Sequence, residues 1–199
     1  RIGKTFLNVR KEKKIFLFLL AFFFYIDGVY TIIDMATAYG SALGLDSTGL
    51  LLALLVTQIV AFPCAILFGR LARRFRTEHL ITVCVVAYIG IALFACVLRT
   101  QTQFWILAIF VGMFQGGIQA LSRSYYAKII PAEQSGEYFG LLDICGKGAS
   151  FLGTTLVSVI SQLTGKVNLG VAMIVVLFVV GVVLFRIAVT CVQKNKIES

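Results

Sequence analysis

Apolar residues dominate six stretches of this chain, roughly 15–39, 50–70, 80–98, 103–129, 137–163 and 169–191. Each is close to or above the about 20 residues that a helix needs to cross a hydrocarbon core. Between them lie short polar breaks: GLDST around Asp46, RTQTQ at 99–103, the loop of Pro131 and the GKVN turn at 165–168. Gly, Pro and polar clusters of this kind end helices. The pattern predicts an all-α polytopic membrane protein with six transmembrane helices. No soluble domain or low-complexity segment separates the runs, so they read as one bundle: a basic linker over 1–14, a six-helix domain over 15–192 and a tail over 193–199.

The polar positions inside the apolar runs are the more informative half of the pattern, because an ionisable residue in the bilayer normally faces a bundle interior or a water-filled path. On the first run Asp27 and Asp34 are seven residues apart, nearly one helical direction, with Tyr30 and Thr31 between them. They predict one acidic stripe. On the fifth, Asp143, Lys147, Ser150, Thr154, Ser158 and Ser161 recur at intervals of three and four, which gathers them on one face. The fourth places Gln115, Gln119, Ser122 and Tyr126 on one face, with Arg123 beside them. Three helices thus share a wet side. At about 1.5 Å per residue Asp27 lies about 18 Å and Lys147 about 15 Å from one membrane face, with Asp143 and Arg123 nearer to it at about 9 and 6 Å. These depths predict that Lys147 is neutralised by Asp27 or by Asp143, with Arg123 competing for Asp143. Buried ion pairs that only set helix register are the plainer reading of the same residues, and hydroxyls that bond their own backbone are the plainer reading of the Ser/Thr stripe. Gly112 with Gly116 and Gly136 with Gly140 have the GxxxG spacing of tight helix contacts.

Composition agrees with a lipid solvent: 59% of the residues are hydrophobic and 14% charged, against roughly a quarter charged in soluble domains. The net charge of +9 would suit nucleic acid, but its placement argues otherwise. Fifteen of the 18 Lys and Arg residues, among them Arg1, Lys4, Arg70, Arg73, Arg74, Arg76, Lys128 and Lys194, fall on one side of the six runs. By the positive-inside rule that side is cytoplasmic, with both termini on it. The charge then orients the bundle, leaving no nucleic-acid partner to explain.

The chemistry available is narrow. His79 is the single histidine and the five cysteines all fall in apolar runs without a CxxC pair, which leaves no metal site or His-dependent triad. An intramembrane enzyme would need a nucleophile and base at matching depth; Ser122 and Ser150 have no His partner. There is no GxxxxGK[ST] loop for a nucleotide, and no cofactor is implied. What remains is a permease for a small solute, or a six-helix membrane assembly protein with structural ion pairs. Because the chain starts at Arg1 without the form of a signal peptide, it reads as a segment of a longer protein.

The stretches FFYIDGVYTIIDMATAYGSALGLDS at 23–47 and GGIQALSRSYYAKIIPAEQSGEYFGLLDICGKGASFLG at 116–153 resemble the C-terminal half of a major facilitator superfamily transporter. More narrowly, they resemble the branch that includes the fungal vacuolar amino-acid effluxer of autophagy and its bacterial relatives. The resemblance implies helices seven to twelve of a twelve-helix transporter, with residues 1–14 as the linker from an N-terminal six-helix half. It implies alternating access about a central site built mainly from the first and fourth helices of each half, hence secondary transport of a small solute, amino-acid efflux included. Asp27 or Asp34 is then the candidate for proton coupling, and a bacterial plasma membrane is the expected location, with membrane lipids as the surroundings. One motif departs from the family pattern: GRLARRFR from Gly69 has Arg73 where an acid of the usual loop latch would stand.

Overall fold

The computed structural model describes residues 12–42 and 44–197. Most of the expected basic linker, from Arg1 to Lys11, lies outside the described residues, as does the end of the tail. Six helices make up almost all of the rest: α1 Lys13–Ala42, α2 Ser47–Arg74, α3 Thr77–Cys96, α4 Gln101–Ile129, α5 Ser135–Thr164 and α6 Val167–Ile197, with a short 3-10 turn at Ala132–Gln134 before α5. All six are long and apolar enough to cross a membrane. The breaks have the local chemistry the sequence announces. Asp46 caps α2 by accepting from the Gly49 amide at 2.7 Å, Thr100 and Gln103 form a reciprocal capping box at the start of α4, and Gly165 ends α5 at a φ of 65° that a residue with a Cβ rarely adopts.

The order of packing differs from the order in the chain. α1 is the most enclosed helix, with 67% of its most apolar window buried, and it packs chiefly against α6 and α5. α2 packs mainly on α4, while α3 bridges α4 and α6. Small residues allow the closest of these approaches, which suits a bilayer where van der Waals packing rather than hydrophobic expulsion holds helices together. A Cβ on Gly112 of α4 would lie 2.6 Å from the Thr57 carbonyl oxygen of α2, and one on Gly116 would meet the Ala61 carbonyl oxygen. Thr57 Oγ1 fastens the same seam by donating to the carbonyls of Ala53 and, across the interface, Ala108. On the other side of the bundle, Gly181 of α6 lets the backbone of Tyr25 approach, where a Cβ would stand 2.9 Å from its amide nitrogen. The core at the basic end is aromatic: Phe18, Phe22, Tyr25, Tyr125, Tyr126 and Phe185 pack ring to ring with centroids 5.2–6.4 Å apart.

The second GxxxG pair behaves differently from the first. Nothing lies within 4 Å of where a Cβ would stand on Gly136 or Gly140, so among the described residues this pair makes no tight helix contact. The spacing was a sound signal for α4 and a misleading one for α5, because spacing records which face is small and not whether another helix covers it.

Candidate functional site

α1, α4 and α5 enclose a polar pocket of about 110 Å³ lined by Tyr30, Gln119, Arg123, Asp143 and Lys147, with Phe22, Leu142 and Gly146 completing its wall. Gly146 belongs to a small-residue edge of α5, Gly146, Ala149 and Gly153, which is buried against the bundle. Asp143, Lys147 and Ser150 sit beside that edge, and packing the edge against α1 leaves them at the rim: Lys147 is exposed, and Asp143 and Ser150 are half-buried. The polar stripe of α5 therefore borders the packed core, at the margin of the bundle.

Of the three charge pairings anticipated, only the competing one, Arg123 with Asp143, is formed. Arg123 Nη2 reaches Asp143 Oδ1 at 2.6 Å, a short charge-assisted hydrogen bond. Lys147 forms no ion pair or hydrogen bond among the described residues. The expected Lys147–Asp27 and Lys147–Asp143 pairs are thus not formed. Arg123 wins Asp143 because α4 lies across from it, whereas Lys147 is one turn further along Asp143's own helix and lines the pocket without a carboxylate partner.

Asp27 is committed elsewhere. It is fully buried, at 0% exposure, between α1 and α5. Its Oδ1 accepts from the Gly153 amide at 2.9 Å and from the Thr31 hydroxyl at 3.4 Å, while Oδ2 has no hydrogen-bond partner among the described residues. Gly153 makes this possible, since a Cβ there would run into Thr31 Oγ1 and stand 2.9 Å from Asp27 Oδ1. The acidic stripe expected of Asp27 and Asp34 is divided by this packing. Asp34, two turns on, is exposed and makes no hydrogen bond or ion pair among the described residues, so the two carboxylates share a direction but not an environment.

The face of α4 is divided too. Gln119 lines the pocket, but Ser122 is buried, donates to the Ile118 carbonyl and exchanges a 2.7 Å hydrogen bond with the Tyr25 hydroxyl. Tyr126 is buried and donates to the Tyr138 carbonyl, and Gln115 Oε1 is buried without a partner among the described residues. Tyr30 stands with the pocket residues while Thr31, beside it, stands with Asp27. In α5 the Thr154 hydroxyl bonds back to the Ser150 carbonyl at 2.6 Å, the local backbone role anticipated for this stripe. Gly153 and Tyr25 are the site residues that sequence reasoning missed. The signal for Gly153 was present, because Gly146, Ala149 and Gly153 recur at three and four residues and mark the side of α5 on which another helix lies close.

Chemically, Arg123 and Asp143 neutralise each other and Lys147 leaves the pocket with one positive charge in surplus. A larger concavity of about 400 Å³ lies between α3 and α4, lined by apolar residues alone. Having no group that could orient a polar solute, it is not the candidate site. Among the described residues no cluster of His, Cys, Asp or Glu could hold a metal ion.

A family model described as vacuole effluxer Atg22 like matches residues 1–198. The chain is 49% identical over 184 residues to an uncharacterized MFS-type transporter, YxiO, of Bacillus subtilis, covering 92% of this chain and 43% of that protein. It is 29% identical over 218 residues to autophagy-related protein 22 of Cryptococcus neoformans, covering 100% of the chain and 38% of the relative. Against autophagy-related protein 22 of Saccharomyces cerevisiae it is 28% identical over 177 residues, covering 83% and 34%. The chain thus spans less than half the length of these relatives. With a family match over nearly every residue and six membrane-length helices, the chain belongs to the vacuole effluxer Atg22-like family.

Proposed function

We propose that this chain forms the C-terminal six helices of a secondary transporter that moves a small solute by alternating access, and that the pocket of Tyr30, Gln119, Arg123, Asp143 and Lys147 is its share of the substrate site. The observation that carries this reading is Lys147, an exposed cation lining a polar pocket with no carboxylate paired to it among the described residues. A cation without a counter-charge inside a membrane-spanning segment is costly, and an anionic group on the solute is the complement that would offset it. The solute's carboxylate meets Lys147, Gln119 and Tyr30 supply hydrogen bonds, and the Arg123–Asp143 pair presents a dipole to a neighbouring polar group. An effluxed amino acid fits that description, and "effluxer" is the word carried by the matching family.

The polar rim of α5 opens out of the bundle, where an N-terminal six-helix half would close the site by rocking against this one. Asp27 is the better placed of the two carboxylates for proton coupling. It holds α1 to α5 through the Gly153 amide, so protonation weakens an acceptor at a helix interface. Asp34, exposed and unpartnered, has no such contact to release. The basic end of the bundle is read as cytoplasmic, in a bacterial plasma membrane.

The test is uptake of labelled amino acids into proteoliposomes of the full-length protein, with and without a pH gradient. Replacing Lys147 by Gln should lower uptake about 10–100-fold, the worth of one hydrogen-bonded charge contact, with Lys147→Arg retaining part of the rate. Asp27→Asn should retain binding but lose the response to the gradient. Wild-type uptake by Lys147→Gln would sink the site assignment. A folded protein with no flux of any solute would favour the alternative, a membrane assembly protein with structural ion pairs.

A further inference from the structure

The concavity between α3 and α4 is unused by the transport reading. It is the larger of the hollows described above, about 400 Å³, with Ala87, Gly90 and Phe94 of α3 facing Ile106, Phe110 and Phe114 of α4. Such a volume is within the range that holds a bound organic molecule. The two helices are antiparallel and joined by the loop of Val97–Thr100, so Phe94 and Ile106 lie near the loop while Ala87 and Phe114 lie about 10–12 Å deeper, at 1.5 Å rise per residue. Leu93, Ile109, Phe110 and Met113 around it are exposed, as residues against hydrocarbon would be. Gly90 keeps the channel open, with nothing within 4 Å of where its Cβ would stand.

A charged group stands at the loop end of the groove. Arg99 is exposed, and its side chain makes no hydrogen bond or ion pair among the described residues. Its backbone is held in place, because the Arg99 amide donates to Gln103 Oε1 at 2.8 Å within the α4 capping box. The acid nearest in kind at this end of the bundle, Asp46, is occupied in capping α2 through the Gly49 amide. An apolar channel that runs toward the loop carrying an exposed arginine without a carboxylate partner has the chemistry of one molecule, with an anionic head and a hydrocarbon tail.

We propose that α3 and α4 form a binding site for a single anionic phospholipid, one acyl chain lying in the groove over Gly90 and the phosphate resting on Arg99. The acyl chain fills a space whose lining would otherwise lose its dispersion contacts. Arginine is suited to the phosphate because its planar fork can donate two parallel hydrogen bonds. The site lies on the side of the bundle formed by α3 and α4, away from the polar pocket of α1, α4 and α5.

Full-length protein reconstituted in nanodiscs of equal parts palmitoyl-oleoyl phosphatidylglycerol and phosphatidylcholine, then released for native mass spectrometry, tests the site directly. One retained phosphatidylglycerol per protein is expected, favoured about fivefold over phosphatidylcholine, the value of about 1 kcal/mol for one basic residue at the membrane surface. Gly90→Leu fills the channel from an open position and should abolish retention of either lipid without lowering the thermal unfolding temperature. Arg99→Gln should keep a retained lipid but lose the preference between head groups. Retention of phosphatidylglycerol by Gly90→Leu at the wild-type level would overturn the proposal, as would equal retention of the two lipids by wild type. A change from dimer to monomer in Gly90→Leu, with no lipid retained by either protein, would overturn it in favour of a subunit contact.

Discussion

Asp27 shows how much a single residue's role depends on its partner. An acid in the middle of an apolar run is conspicuous in any reading of the sequence, and its burial in the helix bundle follows the rule for such groups. Its partner was not conspicuous, because the carboxylate is held by a backbone amide that a missing side chain exposes. Charge patterns point to charges, so they suggested Lys147. A methyl group placed on Gly153 would collide with Thr31 Oγ1 and crowd Asp27 Oδ1. Gly153→Ala should therefore cost about 1–3 kcal/mol, the usual range for overpacking, measured by thermal or denaturant unfolding of the full-length protein in detergent. Adding Thr31→Ala removes the nearest colliding atom and should recover part of that loss. An unchanged stability in Gly153→Ala would mean that α1 and α5 are not in close contact at this level.

Helices were the most legible feature of this chain, and helix pairing the least. Membrane length and short polar breaks predict each helix from nearby residues alone, and all six are found where the apolar runs lie. Which helix meets which depends on surfaces far apart in sequence. The two GxxxG pairs look alike as text, yet only Gly112 and Gly116 carry a neighbouring backbone. Gly112→Val should cost about 1–3 kcal/mol of stability by forcing α4 away from Thr57 of α2. Gly140→Ala should be neutral or stabilising by up to about 1 kcal/mol, as expected when a helix glycine gains a methyl group in open space. Both are read from unfolding of the full-length protein in detergent, and a clear cost at Gly140 would reveal a segment packed on that face.

At the scale of the molecule, the described basic residues Lys13, Lys14, Arg70, Arg73, Arg74, Arg76 and Lys128 gather at one end of the bundle, leaving Arg99 and Lys166 at the other. Local pairing there is modest: Lys128 Nζ donates to Thr77 Oγ1 at 2.9 Å, Arg76 reaches Glu78 at 3.8 Å, and Lys14 reaches Glu12 at 3.6 Å. Contacts this sparse add little to the cohesion of the fold, and by the positive-inside rule such an excess predicts that this end faces the cytoplasm. In variants with one introduced cysteine and none of the native five, an impermeant thiol reagent applied to intact cells should label position 166 and spare position 76 until the membrane is opened. Labelling of position 76 in intact cells would reverse the orientation.

Hydropathy and charge, which are sums over residues and need no knowledge of neighbours, were enough to determine six membrane-length helices, a basic end and the set of polar positions available for a site. They could not divide that set. Asp27 and Asp34 share a helical direction, but only the tertiary structure decided that α5 covers one and leaves the other exposed. Lys147 was the expected partner of Asp27 or Asp143, with Arg123 competing, until the placement of α4 brought the Arg123 guanidinium to 2.6 Å from Asp143. The reason is physical: periodicity fixes an angle about one helix axis, whereas burial and pairing depend on the distance to a second helix, set by small residues such as Gly153, Gly112 and Gly181 that permit two backbones to meet.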